Sequence, residues 1–524
     1  MTEGESHSGD LDEGVLFLRA QLGERVTATT PIVGTINDLE LPAKDSFGLC
    51  TADEDVGDGR GAAHAVGDET VSRWQSLPKA RSNLVTYCYF HVSISAATAF
   101  RSAPASTRSA RTMTNFPNGF LWGASTAPHQ IEGNNVNSDF WAREQLRTGM
   151  ERSGDAIDSY HRYAEDMKLL ADAGLNAYRF GIEWARIEPS PGHISTAELA
   201  HYRRMIDTAL GLGLTPVITL HHFTNPRWFA EEGGWMGDRA IERFTAYIEA
   251  VVSILDGVEW ICTINEPNML ALMTTMGRAA EQQKDKKWLS PTVEGEARPV
   301  IPDPDIDVSK RLVEAHHAAR RILRERTRAA VGWTVANQAL VALPGGEEKL
   351  REVQFVRENI FLEAARGDDF IGVQSYSSQN VTADGIVPHP VHPDNTIVGN
   401  AYRPDAIGIA VRHTWDITGG VPILITENGI ATADDERRIA YTTGALQHLS
   451  DTMSEGIDVR GYLHWSALDN YEWGHWEPTF GLIAVDRTTF ERRPKPSLAW
   501  LGNVAKNGSL PSTTESVSTG VGAS

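Results

Sequence analysis

The chain has 524 residues, of which 41% are hydrophobic and 22% charged, as in ordinary globular proteins. Its 69 acidic residues outnumber its 48 basic ones, giving a formal charge of −21 that repels nucleic acid and anionic lipid. Neither is therefore an expected partner.

No stretch approaches the ~20 apolar residues of a membrane span. The acidic start "MTEGESHSGDLDEG" lacks the basic and apolar regions of a signal peptide. Cys50, Cys88 and Cys262 are widely spaced and odd in number, so they fit neither a disulfide framework nor a metal site. A cytoplasmic location is expected.

Residues 1–112 differ from the rest of the chain. Short apolar pieces stand among acidic and Gly/Ala/Ser-rich runs, and the segment ends in the linker-like "RSAPASTRSARTM". We interpret it as a weakly ordered extension or as an over-long gene model whose true start is Met113; a small separate domain is the alternative. The Ser/Thr/Gly-rich residues 507–524 are predicted to be a disordered tail.

Residues 113–506 carry a repeated pattern of strand-length apolar runs, each followed by a turn and a helical period. The eight runs, in chain order, are "GFLWGAS", "NAYRFGIEW", "TPVITLHHF", "EWICTINE", "AAVGWTVAN", "DFIGVQSYS", "PILITEN" and "VRGYLHWS". Several are apolar throughout, as expected of parallel strands covered on both faces.

Amphipathic helices are predicted between these runs. In "DSYHRYAEDMKLLADAG" an apolar stripe includes Met167 and Leu170, and Gly174 is a natural C-cap. "DRAIERFTAYIEAVVSILDG" has a similar stripe, with Asp238 as a candidate N-cap. Eight strand–helix units predict a single (β/α)8 TIM barrel; a doubly wound open sheet is the alternative, but it does not require eight.

In such a barrel, chemistry is located where the strands end. Polar and aromatic residues follow most of the predicted strands, among them Gln130, His221, His222, Asn265, Glu266, Gln374, Tyr376, Glu427, Asn428, Trp465, Glu472 and Trp473. Hydroxyl-rich sugars need carboxylate and amide partners at their edges and aromatic rings against their C–H faces. Glycoside cleavage needs two carboxyl groups, one protonated and one ionised.

Each residue also has a purely structural explanation. A glutamate at a strand end is more often an ion-pair partner than a catalyst, and tryptophans at helix–sheet junctions usually pack. His221 and His222 lack the spacing of a zinc motif such as H-E-x-x-H. The catalytic interpretation is favoured because two glutamates and their polar neighbours converge on one barrel end.

Five segments carry a resemblance to a known family. "FPNGFLWGASTAPHQIEG", "YRFGIEWARIEP", "ICTINEPN", "ILITENG" and "GYLHWSALDNYEWG" resemble, in order, the signature segments of glycoside hydrolase family 1. The similarity covers about residues 114–504. It implies a retaining β-glycosidase, of the β-glucosidase type, that acts on O-glycosides without a cofactor.

The resemblance also implies roles for individual residues. Glu266 corresponds to the family's acid/base and Glu427 to its nucleophile, whose carboxyl oxygens should lie ~5–5.5 Å apart in a retaining enzyme. The sugar would be bound by Gln130, His222, Asn265, Tyr376, Trp465, Glu472, Trp473 and Phe480. Arg179 and Tyr376 would contact Glu427, and Trp122 would line the pocket wall with Phe480.

Four departures from the family pattern concern the rim of this pocket. His129 stands where a tyrosine is usual, Phe223 replaces a tryptophan, and Gln374-Ser375-Tyr376 replaces N-Y-Y. The usual H-A-P-G segment is replaced by "EQQKDKKWLSPTVEGEARP". These changes preserve the reaction type and leave the preferred sugar open.

The expected substrate is a non-phosphorylated β-glucoside or oligosaccharide, since a carboxylate at Glu472 repels phosphate. β-Galactosides and β-fucosides remain alternatives. A transglycosylating glucosyltransferase would use the same intermediate, and a non-catalytic sugar-binding relative would typically lack one of the two glutamates. The sequence leaves the oligomeric state open.

Overall fold

The computed structural model describes residues 115–282 and 302–511. The predicted N-terminal extension, residues 1–112, lies outside the described residues, as do residues 512–524 of the predicted tail. Most of the segment that replaces H-A-P-G lies outside them too. Residues 507–511 are described: the last helix ends at Asn507, and Ser509 forms an antiparallel bridge with Asn115.

Eight parallel strands close into a barrel, and every apolar run that the sequence singled out supplies one of them. In chain order these strands are β1 (Leu121–Ser125), β2 (Ala177–Gly181), β3 (Thr215–Thr219), β4 (Trp260–Asn265), β5 (Ala330–Ala336), β7 (Ile371–Gln374), β10 (Ile423–Asn428) and β11 (Val459–Trp465). The predicted (β/α)8 barrel is confirmed, and the open-sheet alternative is wrong because β1 pairs with both β2 and β11.

Two small sheets lie outside the barrel. One contains β6 (Leu340–Ala342), β8 (Gln379–Thr382) and β9 (Gly385–Ile386). The other is the antiparallel pair of β12 (Ile483–Val485) and β13 (Arg492–Pro494).

Helices cover the barrel because the strands are apolar on their outer face as well as their inner one. They are α1 (Pro128–Ile131), α2 (Asp139–Leu146), α3 (Ser159–Ala173), α4 (Trp184–Ile187), α5 (Thr196–Gly211), α6 (Arg227–Glu231), α7 (Ala240–Val252), α8 (Pro267–Gln282), α9 (Ile306–Arg326), α10 (Glu347–Gln354), α11 (Ile360–Ala364), α12 (Ala406–Thr418), α13 (Asp435–Ser454) and α14 (Pro496–Asn507). A 3-10 turn spans Gly234–Met236, and a π-helical turn spans Phe355–Asn359.

Helix ends test the predicted caps. Gly174 adopts the left-handed conformation after α3, with φ 107°, as predicted. Asp238 is not the N-cap of α7; the helix begins one residue later, with Arg239 at that position and no side-chain cap. Asp238 and Arg239 are adjacent in the sequence, and only the backbone conformation shows which of them is the N-cap.

Side-chain alternation along β1 corrects the prediction for Trp122. Leu121 packs inside the barrel with Val217 and Leu424, so its neighbour Trp122 points outward. There its ring meets Phe116 edge-on at 4.8 Å. Trp122 is therefore a core residue between barrel and helices, and the prediction that it lines the pocket wall is wrong.

Candidate active site

The two predicted catalytic glutamates follow irregularities in their strands. The pairing of β4 with β5 shifts between Cys262 and Asn265, and that of β10 with β7 shifts between Ile425 and Glu427. A bulge inserts one residue and so re-aims the side chains that follow it. Asn265 and Glu427 thus point to the same end of the barrel interior, where Arg179 contacts both.

Glu427 is a buried carboxyl group with two strong donors. Arg179 Nη1 donates to Oε1 at 2.5 Å, and the Tyr376 hydroxyl donates to Oε2 at 2.6 Å. Burial raises the pKa of Glu427, whereas Arg179 and Tyr376 lower it because both stabilise the ionised form.

Glu266 has a contrasting environment. Its side chain is half-buried, and no hydrogen bond to its carboxyl group is found among the described residues. Burial and the nearby charge of Glu427 raise the pKa of Glu266 well above its usual value, with a smaller opposing effect from Arg179. Of the two carboxyl groups, Glu266 is therefore the one whose environment favours the protonated form more strongly.

The Asn265 amide is fixed by four hydrogen bonds. Its Oδ1 accepts from Arg179 Nη2 at 2.5 Å, Thr334 Oγ1 at 3.0 Å and Gln374 Nε2 at 2.8 Å. Its Nδ2 donates to His222 Nε2 at 3.1 Å. One amide orientation satisfies all four contacts, so Asn265 is held before any ligand arrives.

Several buried polar atoms of this site have no partner among the described residues. Burial and the Arg179 charge hold the pKa of His222 well below its usual range, so its ring is neutral. Since Nε2 accepts from Asn265, Nδ1 carries the hydrogen and is an unpaired donor. Gln130 Oε1 and Gln374 Oε1 are unpaired acceptors. Buried groups of this kind are costly unless a ligand or water satisfies them.

Glu472 lies beside Gln130 and Trp465. Gln130 Nε2 donates to Oε2 at 3.1 Å, and Trp465 Nε1 donates to Oε1 at 3.2 Å. Burial nevertheless raises the pKa of Glu472 to about 8. At neutral pH Glu472 therefore carries less negative charge to repel a phosphate group than the sequence implied, and this repulsion increases as the pH rises above the pKa.

Aromatic rings line the same region. Trp465 and Phe480 pack with Ala127 and Ala431, and the Phe480 ring meets Tyr376 at 5.9 Å. His222 stacks against Trp465 and Trp473, with ring centroids 6.0 Å and 6.1 Å away. The eight residues predicted to bind the sugar thus all belong to this cluster or to its hydrogen-bond network, whereas Trp122, predicted to line the pocket wall, does not.

His129, the first departure from the family pattern, forms a buried pair. Its Nε2 lies 2.6 Å from Glu144 Oε1, and Glu144 Oε2 accepts from Ser153 N at 2.7 Å. The imidazole is parallel to the Trp473 ring at 6.0 Å, while Phe223, the second departure, meets the same ring edge-on at 5.1 Å.

Sequence reasoning missed several residues that orient the site. Thr334 fixes Asn265, Asn470 accepts from Gln130 at 2.9 Å, and Glu144 holds His129. Thr334 is a polar residue within an otherwise apolar predicted strand, two residues before the end of β5, which was a usable signal. Asn470 carries no such signal because its partner Gln130 is 340 positions away in the sequence. Glu144 carries none because it lies on an unremarkable face of α2.

Residues 115–282 and 302–511 contain no group of three or more His, Cys, Asp or Glu side chains arranged to hold a metal ion. Over the same residues, no helix is both long and apolar enough to cross a membrane.

The barrel mouth holds an arginine-bound carboxyl group and a second carboxyl group without such a partner. Aromatic rings and unpaired amide and imidazole groups lie beside them. These features are typical of the class of glycoside-cleaving enzymes. Comparison with known proteins narrows this class. The model of glycosyl hydrolase family 1 matches residues 112–288 and 365–509. The chain belongs to glycosyl hydrolase family 1, and the predicted family is confirmed.

Three relatives illustrate the range of the family. Thermostable beta-glucosidase B of Thermobispora bispora is 30% identical, over 76% of this chain and 92% of its own. The solved structure of beta-glycosidase BGL167 is 41% identical, with a TM-score of 0.67, over 76% of this chain and 98% of that chain. A cyanidin 3-O-glucoside 7-O-glucosyltransferase (acyl-glucose) of Delphinium grandiflorum is 28% identical, over 75% of this chain and 90% of its own.

Replacing Tyr376 by Phe tests the electrostatics of this site. The hydroxyl stabilises the ionised form of Glu427, so its loss raises the pKa of that carboxyl group. A hydrogen bond to a charged group contributes about 1.5–3 kcal/mol, equivalent to about one to two pKa units. The acidic limb of the pH profile of kcat/KM for β-glucoside hydrolysis should therefore move to higher pH by about one unit.

Tyr247→Phe is the matched control. Its buried hydroxyl donates to Ile182 O at 2.9 Å and Leu220 O at 2.8 Å. That variant should lose stability without moving the acidic limb. An unshifted limb in Y376F would contradict the proposed electrostatic role.

Proposed function

We propose that this enzyme hydrolyses terminal β-D-glucosyl residues from O-glycosides with retention of configuration. Glu427 attacks the anomeric carbon while Glu266 donates its proton to the leaving oxygen. The glycosyl–Glu427 ester is then hydrolysed by a water molecule, from which the ionised Glu266 removes a proton as the C–O bond to Glu427 breaks.

The unequal environments of the two carboxyl groups carry this assignment. A nucleophile must be ionised, and Glu427 is the group with an arginine and a tyrosine bound to its two oxygens. An acid must be protonated, and Glu266 is the group without such partners. Exchanging the two roles would require the arginine-bound carboxyl group to hold the proton.

The remaining residues bind the sugar in this proposal. Asn265 contacts the 2-hydroxyl, where a hydrogen bond strengthens in the transition state. The unpaired Nδ1 of His222 and Oε1 of Gln130 bind further hydroxyls, together with Glu472 and Trp473. Trp465 and Phe480 provide apolar surface for the sugar face and the aglycone.

Transglycosylation is the second candidate. The Delphinium relative is named as a glucosyltransferase, and it would share the covalent intermediate with a hydrolase. An acceptor alcohol would then replace water in the second step. Product analysis with and without an added alcohol separates the two, since a transferase forms glucoside in preference to free glucose.

We also propose a cytoplasmic location, which rests on the cysteines. Their number is odd, and Cys262 is a buried free thiol in β4.

Azide distinguishes the roles of the two glutamates. In Glu427→Ala the nucleophile is absent, so azide attacks an activated aryl β-glucoside directly and the product is the inverted α-glucosyl azide. In Glu266→Ala the glycosyl–enzyme still forms from an activated substrate but lacks its base, so azide releases it as the β-glucosyl azide. Each variant alone should lose about 100-fold or more in hydrolysis.

The anomeric configuration of the azide is read by NMR. Opposite anomers from the two variants are the expected result. The same anomer from both, or undiminished hydrolysis by E427A, would refute the assignment.

Substrate preference is tested with a β-glucoside and its 6-phosphate. We expect kcat/KM for the phosphorylated substrate to be at least about tenfold lower, a difference of ~1.4 kcal/mol. Because the pKa of Glu472 is about 8, the carboxyl group becomes charged as pH rises through that value, and the preference should increase with it. Glu472→Gln should abolish this pH dependence; a ratio that stays constant in the parent enzyme would contradict the argument.

A further inference from the structure

The backbone of Glu266 adopts a left-handed conformation, with φ 43°. A non-glycine residue in this region costs on the order of 1–3 kcal/mol and persists only when its surroundings enforce it. Glu266 N donates to Thr334 O at 2.9 Å, and Glu266 O accepts from Met269 N at 2.9 Å. Since no described residue hydrogen-bonds the carboxyl group, its direction depends on how firmly this backbone is held.

Asn268, two residues later, ties the same backbone to neighbouring elements. Its side chain is buried and uses both amide hydrogens: Nδ2 donates to Ala336 O at 2.8 Å and to Arg357 O at 2.9 Å. Its Oδ1 accepts from Ala336 N at 3.2 Å. The first turn of α8 is therefore attached to the end of β5 and to the Arg357 carbonyl.

That carbonyl belongs to the π-helical turn Phe355–Asn359. A π turn bonds each N–H to the carbonyl five residues back, so its carbonyls are displaced from their usual α-helical positions, and such turns occur frequently at functional sites. The turn itself is anchored: Arg357 Nε donates to Asp303 Oδ1 at 2.8 Å, and Glu358 Oε1 accepts from Gln338 N at 2.8 Å. Asn268 thus bonds to a fixed acceptor.

We propose that Asn268 is a positioning residue for proton transfer, which aims the Glu266 carboxyl group by clamping its strained backbone between β5 and the π-helical turn. The inference rests on the proposed function of Glu266 as the acid. It assigns to Asn268 and the turn a catalytic effect without direct contact with the substrate.

A misaimed acid has a recognisable kinetic signature. Glycosides with a basic leaving group need protonation to depart, whereas 2,4-dinitrophenolate departs without it. In Asn268→Ala, kcat/KM for phenyl β-glucoside should fall about 10–100-fold more than kcat/KM for 2,4-dinitrophenyl β-glucoside. The ratio of these constants, measured on one preparation, is independent of the fraction of enzyme that is folded.

Asn176→Ala is the matched control. Asn176 also binds two backbone groups: its Oδ1 accepts from Trp122 N at 2.7 Å and its Nδ2 donates to Phe120 O at 3.1 Å. It precedes β2, at the opposite end of the barrel from Glu266. N176A should leave the ratio unchanged. Asn268→Ser, which keeps a single donor, should give an intermediate ratio and bears the test where N268A folds poorly.

Glu266→Ala separates this inference from the function on which it rests. E266A should show the selective loss in full. If E266A shows the selective loss but N268A and N268S lower kcat/KM equally for both substrates, the positioning role is overturned and the acid assignment survives. If E266A itself lowers kcat/KM equally for both substrates, the proposed function fails.

Discussion

The Arg179 guanidinium is the interaction on which the rest of the site depends. It is fully buried on β2, and it donates a hydrogen bond from Nη1 to Glu427 and one from Nη2 to Asn265. A buried cation needs compensating charge, and the carboxylate of Glu427 supplies it. In return, Arg179 makes the two glutamate carboxyl groups unequal, because it lowers the pKa of Glu427 through both its charge and a hydrogen bond, whereas it acts on Glu266 through its charge.

The barrel makes this arrangement possible by bringing distant residues to one end. Arg179, Asn265 and Glu427 come from three different strands, and the irregularities in β4 and β10 turn the side chains of Asn265 and Glu427 toward Arg179. Rigid strands hold the acceptors and donors in place before a sugar binds, so little reorganisation is required at the moment of reaction. The unpaired atoms of His222 and Gln130 show where hydrogen-bonding capacity remains for a ligand.

The sequence predicted the barrel and the location of both glutamates, since long apolar runs with polar ends are a strong and local signal. The prediction for Trp122 was wrong because alternate residues of a strand face opposite sides, and the sequence does not say which side faces the barrel interior. The structure shows that Leu121 faces inward, so Trp122 faces outward. Asn268 and the π-helical turn were missed because their contacts join residues 68 and 89 positions apart. The raised pKa of Glu472 depends on burial, which composition and motifs do not contain.

The covalent intermediate is the central claim, and trapping it is the most direct measurement. A 2-deoxy-2-fluoro-β-glucosyl fluoride carries a good leaving group, while its 2-fluorine slows hydrolysis of the ester, so the glycosyl–enzyme accumulates. Mass spectrometry of the digested protein should find one fluoroglucosyl group on the peptide that contains Glu427, with loss of activity in proportion to labelling. A label on any other residue, or turnover of the reagent with no label at all, would contradict the account.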